Sequence, residues 1–126
     1  MSLRSPLGRV LGLGSARDGT DHWWSQRVSA VALIPLTVWF MTSMLALPAL
    51  DYATVRAWLS VHFSGFLVVL LVAVLTHHSY LGTTVVIEDY VHSAGMKLVS
   101  LLLLRFLHVL VGGVSIFAIL RVAFGS

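Results

Sequence analysis

Long apolar stretches with almost no formal charge dominate this chain of 126 residues. No Asp, Glu, Lys or Arg occurs in residues 28–47 or 58–87, and residues 98–120 contain only Arg105. About 20 helical residues, rising 1.5 Å each, cross a hydrocarbon core of ~30 Å. Each stretch is long enough for that crossing. The sequence therefore predicts an all-α fold with transmembrane helices over residues 28–47, 58–87 and 98–120.

Composition argues against the soluble classes. The chain is 58% hydrophobic and only 10% charged, which leaves too few polar side chains to cover the surface of a small soluble domain. It has no cysteine, which excludes disulfides, thiolate chemistry and iron–sulfur ligation by this chain. The formal charge is only +3 and the basic residues are scattered, so we expect no nucleic-acid binding.

The basic residues predict the orientation of the chain. Residues 1–27 contain four arginines, and Lys97 is expected on the same side of the membrane, whereas Arg56 and Arg121 are expected on the other. Because cytoplasmic segments carry the excess of Lys and Arg, the N-terminus is predicted to be cytoplasmic. We therefore divide the chain into a cytoplasmic surface segment, residues 1–27, and a membrane domain, residues 28–126.

His78 is a candidate ligand within the second span. On a helix it shares one face with Gly82 and Asp89, and the small Gly82 would let a flat ligand approach the backbone. It lies nine residues before Ile87, a depth of ~13 Å at 1.5 Å per residue. That depth suits an axial ligand to a b-type haem held between helices. The alternative is a structural hydrogen bond between helices.

Other ionisable residues in the spans have roles that the sequence leaves open. His77 points about 100° away from His78, so it could hydrogen-bond a neighbouring helix or a haem propionate. Arg105 keeps its charge, and could extend towards water or pair with a propionate. The second axial haem ligand could be His108 or a histidine of another chain, and otherwise His108 makes a polar contact near Gly112.

Asp89 and Tyr90 follow the second span. A phenol at the membrane surface can donate a hydrogen bond to a quinone carbonyl, and a neighbouring carboxylate can deliver protons to it. The simpler interpretation makes Tyr90 an interfacial anchor and Asp89 a solvated helix end.

Residues 77–92, His-His-Ser-Tyr-Leu-Gly-Thr-Thr-Val-Val-Ile-Glu-Asp-Tyr-Val-His, resemble the signature of the small hydrophobic membrane-anchor subunit of succinate dehydrogenase, respiratory complex II. That signature has a haem-ligating histidine, a glycine four residues later, and an Asp-Tyr pair eleven and twelve residues after the histidine. Residues 22–30 also resemble the alphaproteobacterial and mitochondrial-like members.

The resemblance implies a function shared with partner subunits in a larger helix bundle. His78 would ligate haem b together with a cytochrome b subunit, Tyr90 would bind ubiquinone, and Asp89 would serve proton delivery. The flavoprotein and iron–sulfur subunits would dock on the cytoplasmic side of a bacterial inner membrane. The chain has no flavin or iron–sulfur motif, so we do not expect it to oxidise succinate alone. The alternatives are a fumarate reductase anchor and a haem-free structural or transport bundle.

Overall fold

The computed structural model describes residues 15–125, with side chains from residue 20 onward. Its helices are α1 (Ser15–Ala46), α2 (Tyr52–Ser60), α3 (His62–Tyr90) and α4 (Ala94–Phe124). No strand occurs within residues 15–125. The predicted all-α class is confirmed.

The long helices are suitable for crossing a membrane. Candidate spans cover Thr20–Ala46, His62–Tyr90 and Ala94–Phe124, with lengths of 27, 29 and 31 residues. The 29 residues of α3 extend roughly 44 Å at 1.5 Å per residue, so its ends project beyond a hydrocarbon core of ~30 Å. Most of their large apolar side chains are exposed in the isolated chain, as expected for surfaces that lipid or other subunits cover. The three predicted transmembrane helices are confirmed.

The helix boundaries differ from the expected ones at two places. Residues 1–14 of the expected surface segment lie outside the described residues, and from Ser15 the chain is helical and continues through Pro35 to Ala46. The uncharged stretch before Glu88 is not one helix, because Val61 has an extended backbone between α2 and α3. The division of the chain into a surface segment, residues 1–27, and a membrane domain, residues 28–126, stays a prediction.

The helix α3 occupies the centre of the arrangement. Both α1 and α4 pack against it, whereas the described backbones of α1 and α4 make no close contact with each other. At the α3–α4 contact, the buried Gly112 lies against Thr76, and a β-carbon at Gly112 would stand 3.0 Å from Thr76 Cγ2. Small residues allow such close approach between membrane helices. Because α3 is central, its side chains can meet a different neighbour on each side.

The short helix α2 closes the end of the bundle opposite Tyr90. Asp51 caps it, accepting a hydrogen bond of 2.9 Å from the backbone N–H of Thr54. The Trp58 ring stacks on Trp39 of α1, with centroids 5.7 Å apart. Arg56 Nη2 donates a 2.7 Å hydrogen bond to the Gly125 carbonyl after α4. These contacts tie the α1–α3 connection to the end of α4.

Candidate functional site

The α1–α3 contact brings two serines of α1 to two histidines of α3. Ser25 Oγ lies 3.0 Å from His77 Nε2, and Ser29 Oγ lies 2.9 Å from His78 Nδ1. Ser29 is buried at 6% exposure, while His77 is exposed and His78 is half-buried. The two neighbouring imidazoles therefore use different ring nitrogens towards α1.

The hydrogen bonds of Ser29 determine the tautomer of a neutral His78. Ser29 Oγ donates its one proton to the Gln26 carbonyl at 3.0 Å, because a carbonyl oxygen can only accept. The 2.9 Å contact with His78 therefore requires His78 Nδ1–H to donate to Ser29 Oγ. The lone pair of the ring is then on Nε2, which makes no hydrogen bond to the described residues. A neutral imidazole held through Nδ1–H is the form in which histidine binds a metal through Nε2.

His77 differs from His78 in this respect. Its Nε2 is already engaged by Ser25 Oγ, so only Nδ1 stays available for another partner. Its exposed ring lies between two clefts, one formed with α1 and the other with α4. The contacts distinguish the two histidines, whose order along the chain alone left the assignment open.

Two polar atoms of α1 near this contact are buried without a hydrogen-bond partner among the described residues. They are His22 Nε2 and Gln26 Oε1. A β-carbon built at Gly82 would lie 3.5 Å from Gln26 Nε2, so Gly82 faces the Gln26 side chain of α1. Neither Gln26 nor Ser29 was predicted from the sequence to be a site residue. Their spacing from His22, four and seven residues, was the available signal, because it puts all three on one helix face.

His108 is engaged within its own chain. Its Nδ1 donates to the Leu104 carbonyl at 2.9 Å, so Nε2 accepts from the Ser79 hydroxyl at 3.3 Å when the ring is neutral. The Tyr80 ring meets it edge-on at 5.7 Å. Both ring nitrogens thus have partners at the α3–α4 contact. This arrangement matches the structural alternative considered for His108.

Arg105 lies on a cleft of about 320 Å³ between α3 and α4. His77, Tyr80 and His108 line the same cleft, together with apolar and small residues. No salt bridge or hydrogen bond of the Arg105 guanidinium is found to any described residue. A permanent cation within a span requires an anion, a polar partner or a route to water.

Asp89 and Tyr90 stand together at the end of α3. Tyr90 is 78% exposed, Asp89 is exposed too, and neither the phenol nor the carboxylate has a hydrogen-bond partner in the described part of the chain. Nearby, Lys97 Nζ donates to the Glu88 carbonyl at 2.9 Å, which connects α3 to the start of α4. From His78 to Tyr90 the rise along the helix is roughly 18 Å at 1.5 Å per residue. Both groups are available to partners outside this chain.

Sequence comparison identifies the family. Residues 1–112 match the succinate dehydrogenase/fumarate reductase transmembrane subunit family. The chain belongs to this family. The hydrophobic membrane anchor subunit of succinate dehydrogenase from Paracoccus denitrificans is 36% identical over 93 residues, covering 74% of this chain and 72% of the relative. The same subunit from Rickettsia bellii is 34% identical over 90 residues, 70% of each chain.

A further relative comes from Reclinomonas americana, whose succinate dehydrogenase membrane anchor subunit is 29% identical over 92 residues, 71% of this chain and 77% of the relative. No solved structure matches the chain significantly. The family predicted from the signature is thus confirmed. Membership and the three apolar helices together make the chain a multi-pass transmembrane subunit.

Proposed function

We propose that this chain is the anchor subunit that holds haem b jointly with a cytochrome b subunit, using His78 as one axial ligand. The observation that carries the proposal is the pair of Ser29 contacts, to the Gln26 carbonyl at 3.0 Å and to His78 Nδ1 at 2.9 Å. In a neutral imidazole they leave the lone pair on Nε2, the nitrogen that would face the iron. A haem can be held by a single histidine from each of two chains, so one imidazole from this chain would meet the requirement.

The haem, when bound, would supply one-electron redox chemistry between the helices. This chain's own task is to hold and orient the imidazole. His108 has partners at both ring nitrogens, so the second histidine that would hold the haem is assigned to the partner subunit. His77 and Arg105 remain proposed partners of the haem propionates. They share one cleft, and together offer an imidazole N–H and a permanent cation to an anion.

We assign the quinone site to the end of α3. The Tyr90 hydroxyl would donate a hydrogen bond to a ubiquinone carbonyl, and the Asp89 carboxyl would deliver protons there. Reduction of the quinone to quinol consumes two electrons and two protons, with the electrons supplied by the iron–sulfur subunit. Support comes from the unpartnered phenol and carboxylate, which lie side by side and exposed at one helix end.

The proposed orientation puts the Tyr90 end of the bundle in the cytoplasm, in a bacterial inner membrane. Lys97 lies at that end and Arg27 lies on the half of α1 that is nearer to it, whereas Arg56 and Arg121 lie near the other end. The iron–sulfur and flavoprotein subunits would dock beside Asp89 and Tyr90. Relatives named as succinate dehydrogenase subunits favour quinone reduction over the fumarate reductase direction, which the family description also includes.

Haem analysis of the purified complex tests the ligand assignment. His78→Ala is expected to lower the haem content, measured as pyridine haemochrome per complex, by at least about tenfold. His62→Ala is the matched control, because that histidine is also on α3 but lies at the opposite end of the helix from Tyr90. It should retain haem. If His78→Ala keeps the wild-type haem content, the haem role is refuted and a haem-free anchor becomes the better description.

Tyr90→Phe tests the quinone assignment. The substitution removes one hydroxyl and keeps the ring, so ubiquinone reduction should fall by about 10- to 100-fold, which corresponds to a lost hydrogen bond of ~1.4–2.8 kcal/mol. Haem content should stay unchanged, which separates this result from a folding defect. Tyr52→Phe, at the opposite end of the bundle, is the control. Full quinone turnover with Tyr90→Phe would refute the assignment.

A further inference from the structure

We propose that Ser29 is the positioning residue for the haem ligand, and that it sets the strength with which His78 binds iron. The inference rests on the proposed haem function of His78. It adds a residue that neither the signature nor the family description specifies. The residues that carry it are Gln26, Ser29 and His78, which form one hydrogen-bonded chain from the backbone of α1 to the ring on α3.

The direction of each hydrogen bond gives Ser29 its effect. Its hydroxyl proton is committed to the Gln26 carbonyl, so its oxygen is oriented to accept from His78 Nδ1–H. Ser29 is 6% exposed, and no water is needed to complete this chain. The bond fixes both the tautomer and the rotation of the ring. It also increases the electron density on Nε2, as acceptors bonded to metal-ligating histidines do.

A stronger imidazole donor favours ferric over ferrous iron, so the Ser29 bond should lower the reduction potential of the haem. Without this acceptor, Nδ1–H is left unpaired and Nε2 becomes a weaker donor. Ser25 provides a natural comparison, since its hydroxyl bonds Nε2 of the neighbouring His77. It has no contact with His78 among the described residues. The effect should therefore be confined to Ser29.

The experiment uses the purified complex with its haem and compares Ser29→Ala, Ser29→Thr and Ser25→Ala by potentiometric titration and electron paramagnetic resonance. Ser29→Ala is expected to raise the potential, changing the ratio of oxidised to reduced haem about tenfold, which is 59 mV for a one-electron couple. The ferric haem spectrum should change as well. Ser29→Thr keeps a hydroxyl and should keep the wild-type potential and the wild-type ferric spectrum. Ser25→Ala should leave both unchanged.

Three results would overturn the inference. One is a wild-type potential and spectrum in Ser29→Ala, and another is an equal shift in Ser25→Ala. The third is a Ser29→Thr variant that retains haem and thermal stability but has neither the wild-type potential nor the wild-type spectrum. His78→Ala separates this inference from the haem role itself. If His78→Ala loses haem but Ser29→Ala behaves as wild type, only the Ser29 inference fails, whereas haem retention in His78→Ala refutes both.

Discussion

Replacing Gly112 by alanine should force α3 and α4 apart. The added β-carbon would stand 3.0 Å from Thr76 Cγ2 and 3.3 Å from Thr76 Oγ1, whereas ordinary contacts of this kind begin near 3.4 Å. Threonine is branched at its β-carbon and has few alternative rotamers on a helix, so it cannot move away freely. The overpacking should cost about 1–3 kcal/mol. Alanine's better helix propensity would offset about 0.5–1 kcal/mol of that cost.

Gly113 is the matched control, because a β-carbon there would meet nothing within 4 Å. We expect Gly112→Ala to lose about 1–2 kcal/mol of stability, and Gly113→Ala to be neutral or slightly stabilised. Thermal unfolding of the purified complex in one detergent measures both. Adding Thr76→Ala to Gly112→Ala should recover most of the loss. Equal stability of the two glycine variants would refute the close α3–α4 contact.

Three further variants probe other contacts. Thr54 donates hydrogen bonds that hold the pKa of the Asp51 carboxyl below its ordinary value. The cap should therefore stabilise α2 at pH values above the ordinary pKa, and this stabilisation should be lost as the pH falls through the lowered pKa. Asp51→Ala should raise the rate of amide exchange in α2 at neutral pH, and the difference from wild type should disappear in acid. Arg56→Gln should cost about 1 kcal/mol and speed amide exchange in the last turn of α4. His108→Leu should leave the haem content unchanged and shift thermal stability by about 1 kcal/mol or less.

The sequence was sufficient for the class of fold because the length of an apolar run is a local property. Three such runs predicted three long helices, and three are found. The break at Val61 was missed, since neither a formal charge nor a proline marks it and the uncharged run continues on both sides. The capping pair Asp51 and Thr54 was the local signal for α2, because an acceptor three residues before its donor is typical of a helix start.

In the candidate site, too, some residues could be predicted from local sequence and others depend on how the helices pack. His78, Asp89 and Tyr90 could be selected from sequence, because their spacing along one helix is fixed by its geometry. Helix spacing put Ser29 on one face with His22 but could not give its role, since that role depends on how α1 packs against α3. The same packing distinguishes His77 from His78. They are the same residue type at adjacent positions, but they contact different serines through different ring nitrogens. Contacts between helices are long-range properties that hydropathy does not encode.

A cryo-electron microscopy map of the whole complex, recorded with haem and partner subunits present, tests the central claim most directly. The account predicts a porphyrin between this chain and the cytochrome b subunit. It also predicts His78 Nε2 bonded to the iron and His78 Nδ1 directed at Ser29. Density for a haem ligated through His77, or a His78 ring facing lipid with no porphyrin beside it, would contradict the account.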